Sequence, residues 1–539
     1  MKRPMPHLLA ILLSTAMLSG ACTPSGDEAP APTSAVDTTI ATFEPSSTSI
    51  TIATTEPESF DAHHVISTRA IDLAGLLHQG LTVVGTDGRA APGLAESWTS
   101  DDLITWTFVL KPGSTFSDGT PITATTFASS WQALASQSTR ARSAYLGIEA
   151  SIANWAEVLA GNDERQIGVR ALDELTFEVQ LAHANSWLPE YVAHPAFAPV
   201  PESMLSTTAE DGTSNAVLVS SGPYEVEGGV RPGDGVDLVK RTAARSGEVG
   251  RVLLRFFESD QAASQAVVAG SADLALADEA VPPEGVEVTR HDSNGVWYLG
   301  FPTPRGPASS PEPRQVLSSA IDRSAFESDL AIDTIVHSRS FAPRSSIHGS
   351  TVVCTWCRFN PERATALAEE NEIEPPEEPF SIHVVEGSPV EPWAHSIAAD
   401  WRDVLGWPVE VATHPSVQGL IGYLQSGVPS GPFLVPWYAD HRGADAFIEP
   451  LLDPAGSDDF VRYNNSSLVS LFASVSSTSV DDTQRLLTMN ELGLELNEVL
   501  PYVPLGIIQR TVVHDGRFDL EAISGGAARI DLTAIRTKP

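Results

Sequence analysis

The chain has 539 residues, 42% of them hydrophobic and 19% charged, the balance of a globular protein rather than of a disordered or fibrous one, and its length suggests roughly three domains. Acidic residues number 69 against 32 Lys and Arg, a formal charge of -37. That field repels nucleic acid and anionic lipid headgroups, which excludes both as favoured partners, and it gives a weak bias towards cationic ligands.

The N-terminus predicts an export signal. Lys2 and Arg3 form its positive region, 8–18 its apolar core, and Leu18-Ser19-Gly20-Ala21-Cys22 its small-residue cleavage site. The apolar run is shorter than the ~20 residues that span a bilayer. Its end resembles a bacterial lipobox, in which Cys22 would be diacylated and become the first mature residue. Ser19 stands where that pattern usually has a large aliphatic, so a simple secretory signal is the alternative. Residues 23–45, rich in Ser, Thr, Pro and Ala, predict a flexible tether. The other two cysteines form Cys354-Thr355-Trp356-Cys357. Outside the cytoplasm a small disulfide loop is the simplest reading. A redox role needs the pair at a helix start, whereas Asn360-Pro361-Glu362 is the start here, and zinc would need two further ligands that the neighbourhood lacks.

From 49 to 54 the chain alternates as a half-buried strand does. A helix-like span follows over 68–80, then Gly85-Thr86-Asp87-Gly88-Arg89 as a hairpin turn. Gly93-Leu94-Ala95-Glu96-Ser97-Trp98, a strand over 105–110 and Phe116-Ser117-Asp118-Gly119-Thr120-Pro121 come next, and Thr123 precedes an amphipathic helix through Trp131. Strands are expected over 176–181 and 252–257. Val316, Leu317, Ala320 and Ile321 share one helical face behind Ser310 as N-cap, with Pro311 and Pro313 in the first turn. Asn360-Pro361 repeats that start, with Ala364, Leu367 and Ala368 as the buried face. Such alternation argues for α/β lobes. In Gly431-Pro432-Phe433-Leu434-Val435-Pro436-Trp437-Tyr438-Ala439-Asp440-His441, the run 433–435 predicts a buried strand. It brings Trp437, Tyr438 and Asp440 to the strand end, where α/β proteins tend to hold ligands. A carboxylate beside aromatics gains from a cation such as an α-ammonium group; the plain alternative is a turn-capping Asp440 and a core Trp437.

With Gly168-Val169-Arg170-Ala171-Leu172-Asp173, the run 194–201, Ser221-Gly222-Pro223-Tyr224, Ala269-Gly270-Ser271-Ala272-Asp273-Leu274 and Leu500-Pro501-Tyr502-Val503-Pro504-Leu505, these segments cover nearly the whole mature chain. In their order and spacing the chain resembles the solute-binding proteins of peptide-type ABC importers. The resemblance implies an α/β, two-lobed, periplasmic-binding-protein-like fold, a hinged clamshell with an extra inserted domain. Lobe I would cover 46–290 with the insert at about 86–214, lobe II 291–504, and 505–539 would return to lobe I. It implies a peptide receptor, monomeric, anchored to the membrane through lipid on Cys22, that hands oligopeptides to a permease.

In oligopeptide-binding members a Trp-x-x-Asp element supplies the Asp that pairs with the peptide's α-ammonium group, and Trp437-Tyr438-Ala439-Asp440 matches it. The resemblance further implies Thr68 as a backbone contact and Trp297 as a pocket aromatic, with Tyr438 and His441 beside the lead pair. Two departures concern the acid end of the ligand. Leu434 stands where those proteins have an arginine, and Arg142 replaces a pocket tyrosine, leaving Arg142, Arg140 or Arg69 as candidates for the carboxylate. No His-Glu-x-x-His, Gly-x-Ser-x-Gly or phosphate-loop motif occurs, so no enzyme and no cofactor are expected. The adjacent His63-His64 leaves metal or metal-chelate binding as a minor alternative, although neighbours on a strand would point to opposite faces.

Overall fold

The computed structural model describes residues 48–538 apart from 86, 137–140, 142, 163, 206–217, 242–248, 279, 329, 331, 345, 427–429, 440, 453–458, 464, 480–482 and 525–529. Two long strands, Glu287–Gly300 and Tyr502–His514, run antiparallel through the middle of the molecule and pair from Glu287↔His514 to Gly300↔Tyr502. At one end Leu274–Leu276 joins the second of them, followed in the sheet by Ser49–Thr55, Arg251–Phe257, Gly235–Lys240 and Tyr224–Arg231. At the other end Phe433–Tyr438 joins the first, followed by Phe380–Val385 and Val409–His414. One hydrogen-bonded ladder therefore passes from lobe to lobe.

The apolar side chains say where one body ends and the next begins. Val512 and Val513 pack with the first lobe, while Val296, Ile507 and Ile508 pack with the second. Between them both crossing strands turn polar, at His291-Asp292-Ser293-Asn294 and Gln509-Arg510-Thr511. The ladder shifts register between Asp292 and Val296, and Ser293 stitches the irregularity by accepting from Gly295 N (2.7 Å) and donating to Ile508 O (3.1 Å). A third core, from Leu81 to Phe197, belongs to the inserted body, which has its own four-stranded sheet built on Thr105–Leu110 and Thr176–Gln180.

Local signals explain most elements. Thr123 caps the Ala124–Ala135 helix with a reciprocal Thr126 contact, and Asn360 caps Pro361–Glu370 by accepting from Arg363 N. One expectation needs correction, the buried face of Pro361–Glu370, and two that hold gain detail. Ser310 occupies the N-cap of Pro311–Ser319, but its side chain makes no capping hydrogen bond. In Pro361–Glu370 only Ala364 is buried, because that short helix touches the core along one line, leaving Leu367 and Ala368 half-exposed. The strand at 433 continues through Pro436 to Tyr438. It pairs with Phe380–Val385 only at His383↔Phe433, so beyond that point the missing N–H of Pro436 faces no ladder partner. Cys354 and Cys357 form a disulfide with Cα atoms 5.5 Å apart. Among the described residues no helix is long and apolar enough to cross a membrane.

Candidate functional site

The Phe433–Tyr438 strand ends against the irregular stretch of the first crossing strand, where Tyr438 lies opposite Gly295. The next residue is gripped from both sides: Ala439 N donates to Asn294 O (2.8 Å), and Asn294 Nδ2 donates to Ala439 O (3.2 Å). A ladder register shift thus exposes the groups that fix the chain just before 440. Trp437 is half-buried and donates through Nε1 to Ala446 O (2.8 Å), which ties the 441–447 segment to its indole. Tyr438 is 39% exposed, while Trp297 is 6% exposed and packs in the core of the same lobe. Leu434, at the position of the missing arginine, is buried opposite Leu299. Asp440, Arg140, Arg142 and Cys22 lie outside the described residues.

Thr68 is the first residue of the Thr68–Leu77 helix, as the helix-like span over 68–80 predicts. Ser67 caps that helix, and the Glu58 carboxylate accepts from Ile66 N and Ser67 N at 2.7 Å each. A backbone contact there would use a helix N-terminal N–H, not an extended edge. Arg69 does not offer itself to a ligand carboxylate: it is buried against Asp260 (3.1 Å) and Asp278 (3.3 Å). Asp278 also faces Arg510, whose other partner Asp72 accepts from Ile530 N as well. Two arginines and three aspartates thus share one buried cluster on the first lobe.

The two adjacent histidines sit on a single helical turn, Ala62–His64, and both are buried. His63 Nε2 lies 3.3 Å from Ser130 Oγ, and burial pushes its pKa down to about 4. His64 Nδ1 is 3.6 Å from Asp61 Oδ1. Among the described residues no group of three or more His, Cys, Asp or Glu is placed to hold a metal ion.

His441, expected only as a neighbour of the lead pair, is buried between two aromatics of the inserted body. Its ring stacks on Trp187 at 4.4 Å between centroids and meets Tyr191 edge-on at 5.2 Å. Its Nδ1 accepts from Gly443 N (3.0 Å), which fixes the neutral tautomer with the proton on Nε2, and burial holds its pKa down to about 4. Trp187 Nε1 donates to Asp445 Oδ2 (2.9 Å), and Arg485 Nη2 reaches the same oxygen at 3.2 Å. Sequence reasoning missed Trp187, Asp445 and Arg485, since nothing local marks residues that meet across 258 and 40 positions.

The chain is 34% identical over 173 residues to the periplasmic oligopeptide-binding protein OppA of Salmonella typhimurium, 32% of either chain. It is 28% identical over 281 residues to the periplasmic murein peptide-binding protein MppA of Escherichia coli, 50% of this chain and 51% of that one. These alignments therefore span a third to a half of the curated relatives. Among solved structures the fold is similar to the unliganded open form of the murein tripeptide-binding protein MppA, with TM-score 0.79 and 21% identity over 91% of this chain and 97% of that one. It is also similar to Haemophilus influenzae OppA in complex with RPPGFSPFR, with TM-score 0.67 and 19% identity over 91% of this chain and 99% of that one. The model of bacterial extracellular solute-binding proteins, family 5 (middle part), matches residues 89–459, and the chain belongs to this family of extracytoplasmic binding proteins.

Proposed function

We propose that this protein binds short peptides in the cleft between its lobes, receives their α-ammonium group at Asp440, and delivers them to the permease of an ABC importer. Asp440 acts as an acceptor and not as a catalyst. The protein works as a monomer held to the membrane by lipid on Cys22, with lobe I and its insert on one side of the cleft and lobe II on the other. Two observations outside the site support the reading: family membership and the peptide-binding relatives. Within the molecule, one observation carries it. Ala439, the residue before Asp440, is clamped to Asn294 where the strands cross between lobes. Trp437 and Tyr438 beside it supply surfaces on which a cation is stabilised. Peptide backbone pairing would add affinity without demanding a sequence.

Calorimetry with trialanine and trilysine, free and N-acetylated, tests this. A hydrogen bond to a charged group contributes about 1.5–3 kcal/mol, so Asp440→Asn or acetylation lowers affinity about ten- to hundredfold. Equal binding by the variant and the parent sinks the assignment. Parental refusal of every free peptide, together with a non-peptide solute recovered by mass spectrometry of purified protein, would move the reading to another ligand on the same scaffold.

A further inference from the structure

The inserted body and the second lobe have separate apolar cores, yet they meet in a small, fully buried contact far from the crossing strands in sequence. Trp187 is 1% exposed, Asp445 1% and Arg485 0%. The indole is sandwiched, with His441 stacked on it and the Arg485 guanidinium carbon 4.5 Å from its ring centre. Arg485 Nη1 donates to Ser186 Oγ (2.7 Å) and to the carbonyls of Val475 and Thr478, and Ser186 N donates to Ser476 O (2.9 Å). The contact is tight: a Cβ on Gly443 would stand 2.3 Å from Trp187 Cζ2.

Three features make this more than incidental packing. Charge is buried with its partners in place, which is costly unless the geometry holds. The anchoring carboxylate is shared between an N–H from one body and a guanidinium from the other. The second-lobe groups other than Arg485, its carbonyl partners and Ser476 O lie on the 441–447 segment, whose Ala446 O also accepts from Trp437 Nε1. We propose that Trp187, gripped by His441, Asp445 and Arg485, is a cross-lobe clasp, and that these four are positioning residues which set where the end of the Phe433–Tyr438 strand stands relative to the inserted body. The clasp rests on the peptide-site reading for its effect on affinity, but not for its effect on the ligand-free protein.

The test uses the full chain with Trp187→Ala, Trp187→Phe and Gly443→Ala. Three measurements are made: trialanine and trilysine affinity by calorimetry, radius of gyration of ligand-free protein by small-angle scattering, and hydrogen exchange at the Ser186 amide. Trp187→Ala should weaken peptide binding about tenfold or more, enlarge the ligand-free particle and speed exchange at Ser186. Trp187→Phe keeps the ring between His441 and Arg485 without the N–H, and should restore most of the affinity and the parental size. Gly443→Ala, which wedges the contact without removing a polar group, should reproduce the exchange and size changes. A merely structural role would lower the melting temperature of Trp187→Ala while leaving size and Ser186 exchange as in the parent, and that result overturns the proposal. Should Trp187→Ala fail to fold, parental size and exchange in Gly443→Ala overturn it equally. If the parent binds no peptide, the peptide reading alone fails, and the two ligand-free measurements still decide the clasp.

Discussion

The Arg69–Arg510 cluster and the Trp187–Arg485 contact both bury arginine with aspartate, but they are built differently. The first gathers two arginines and three aspartates from segments of one lobe, and it leaves Nε and Nη1 of both arginines, with Thr511 Oγ1, without hydrogen-bond partners. The second has one arginine and one aspartate, uses an indole N–H and a hydroxyl to complete them, and leaves only Arg485 Nε without a partner. Within a lobe, dense apolar packing on every side holds an imperfect polar group in place. Between bodies the apolar packing is sparser, with Ile347 against the inserted core, and the polar contact is nearly satisfied in itself.

Breaking each in turn sharpens the contrast. The largest effect belongs to Arg510→Leu, which leaves Asp72 and Asp278 buried beside each other with one arginine fewer; urea unfolding should register a loss of about 3–5 kcal/mol. Asp445→Asn keeps an acceptor for Trp187 and removes only the charge facing Arg485, so the same measurement should give about 1–3 kcal/mol.

The two regions also answer acid in opposite senses. His441 has a folded pKa of about 4 against an ordinary 6.5, so the unfolded chain binds more protons between these values. Its contribution is complete above pH 6.5 and is lost as the pH falls towards 4. Asp72 runs the other way: burial, opposed by Arg510, raises it from 3.8 to about 7, so its contribution is complete below 3.8 and is lost as the pH rises through 7. Melting temperatures of His441→Phe and Asp72→Asn followed across this range should lose slopes of opposite sign; parallel curves would refute the assignment. The smallest effect is expected for Thr511→Val, whose hydroxyl lacks a partner, within about 0.5 kcal/mol of the parent in either direction.

Much of the framework was legible because its signals are local. Alternation marked Ser49–Thr55, Thr123 and Asn360 announced their helices, and the order of segments carried the family resemblance. Readings that depended on what packs where were less secure. The helix expected over 68–80 is present as Thr68–Leu77, so the backbone contact that the resemblance implies at Thr68 falls on a helix start capped by Ser67. Arg69 looked like a candidate for a ligand until Asp260 and Asp278, about two hundred residues away, were found against it. Gln509-Arg510-Thr511, a polar break within an otherwise largely apolar strand, is a readable mark of the crossing point. The Trp187 contact had no such mark, since its partners share no period and no neighbourhood.

The crossing strands have a mechanical consequence. Because both crossing strands run through both bodies, a load pulling the bodies apart along the strands is carried in tension by two covalent backbones at once. In an optical trap the halves should stay tethered until one of them unravels, and relative motion short of that is left to bending and twisting of the ribbon between them.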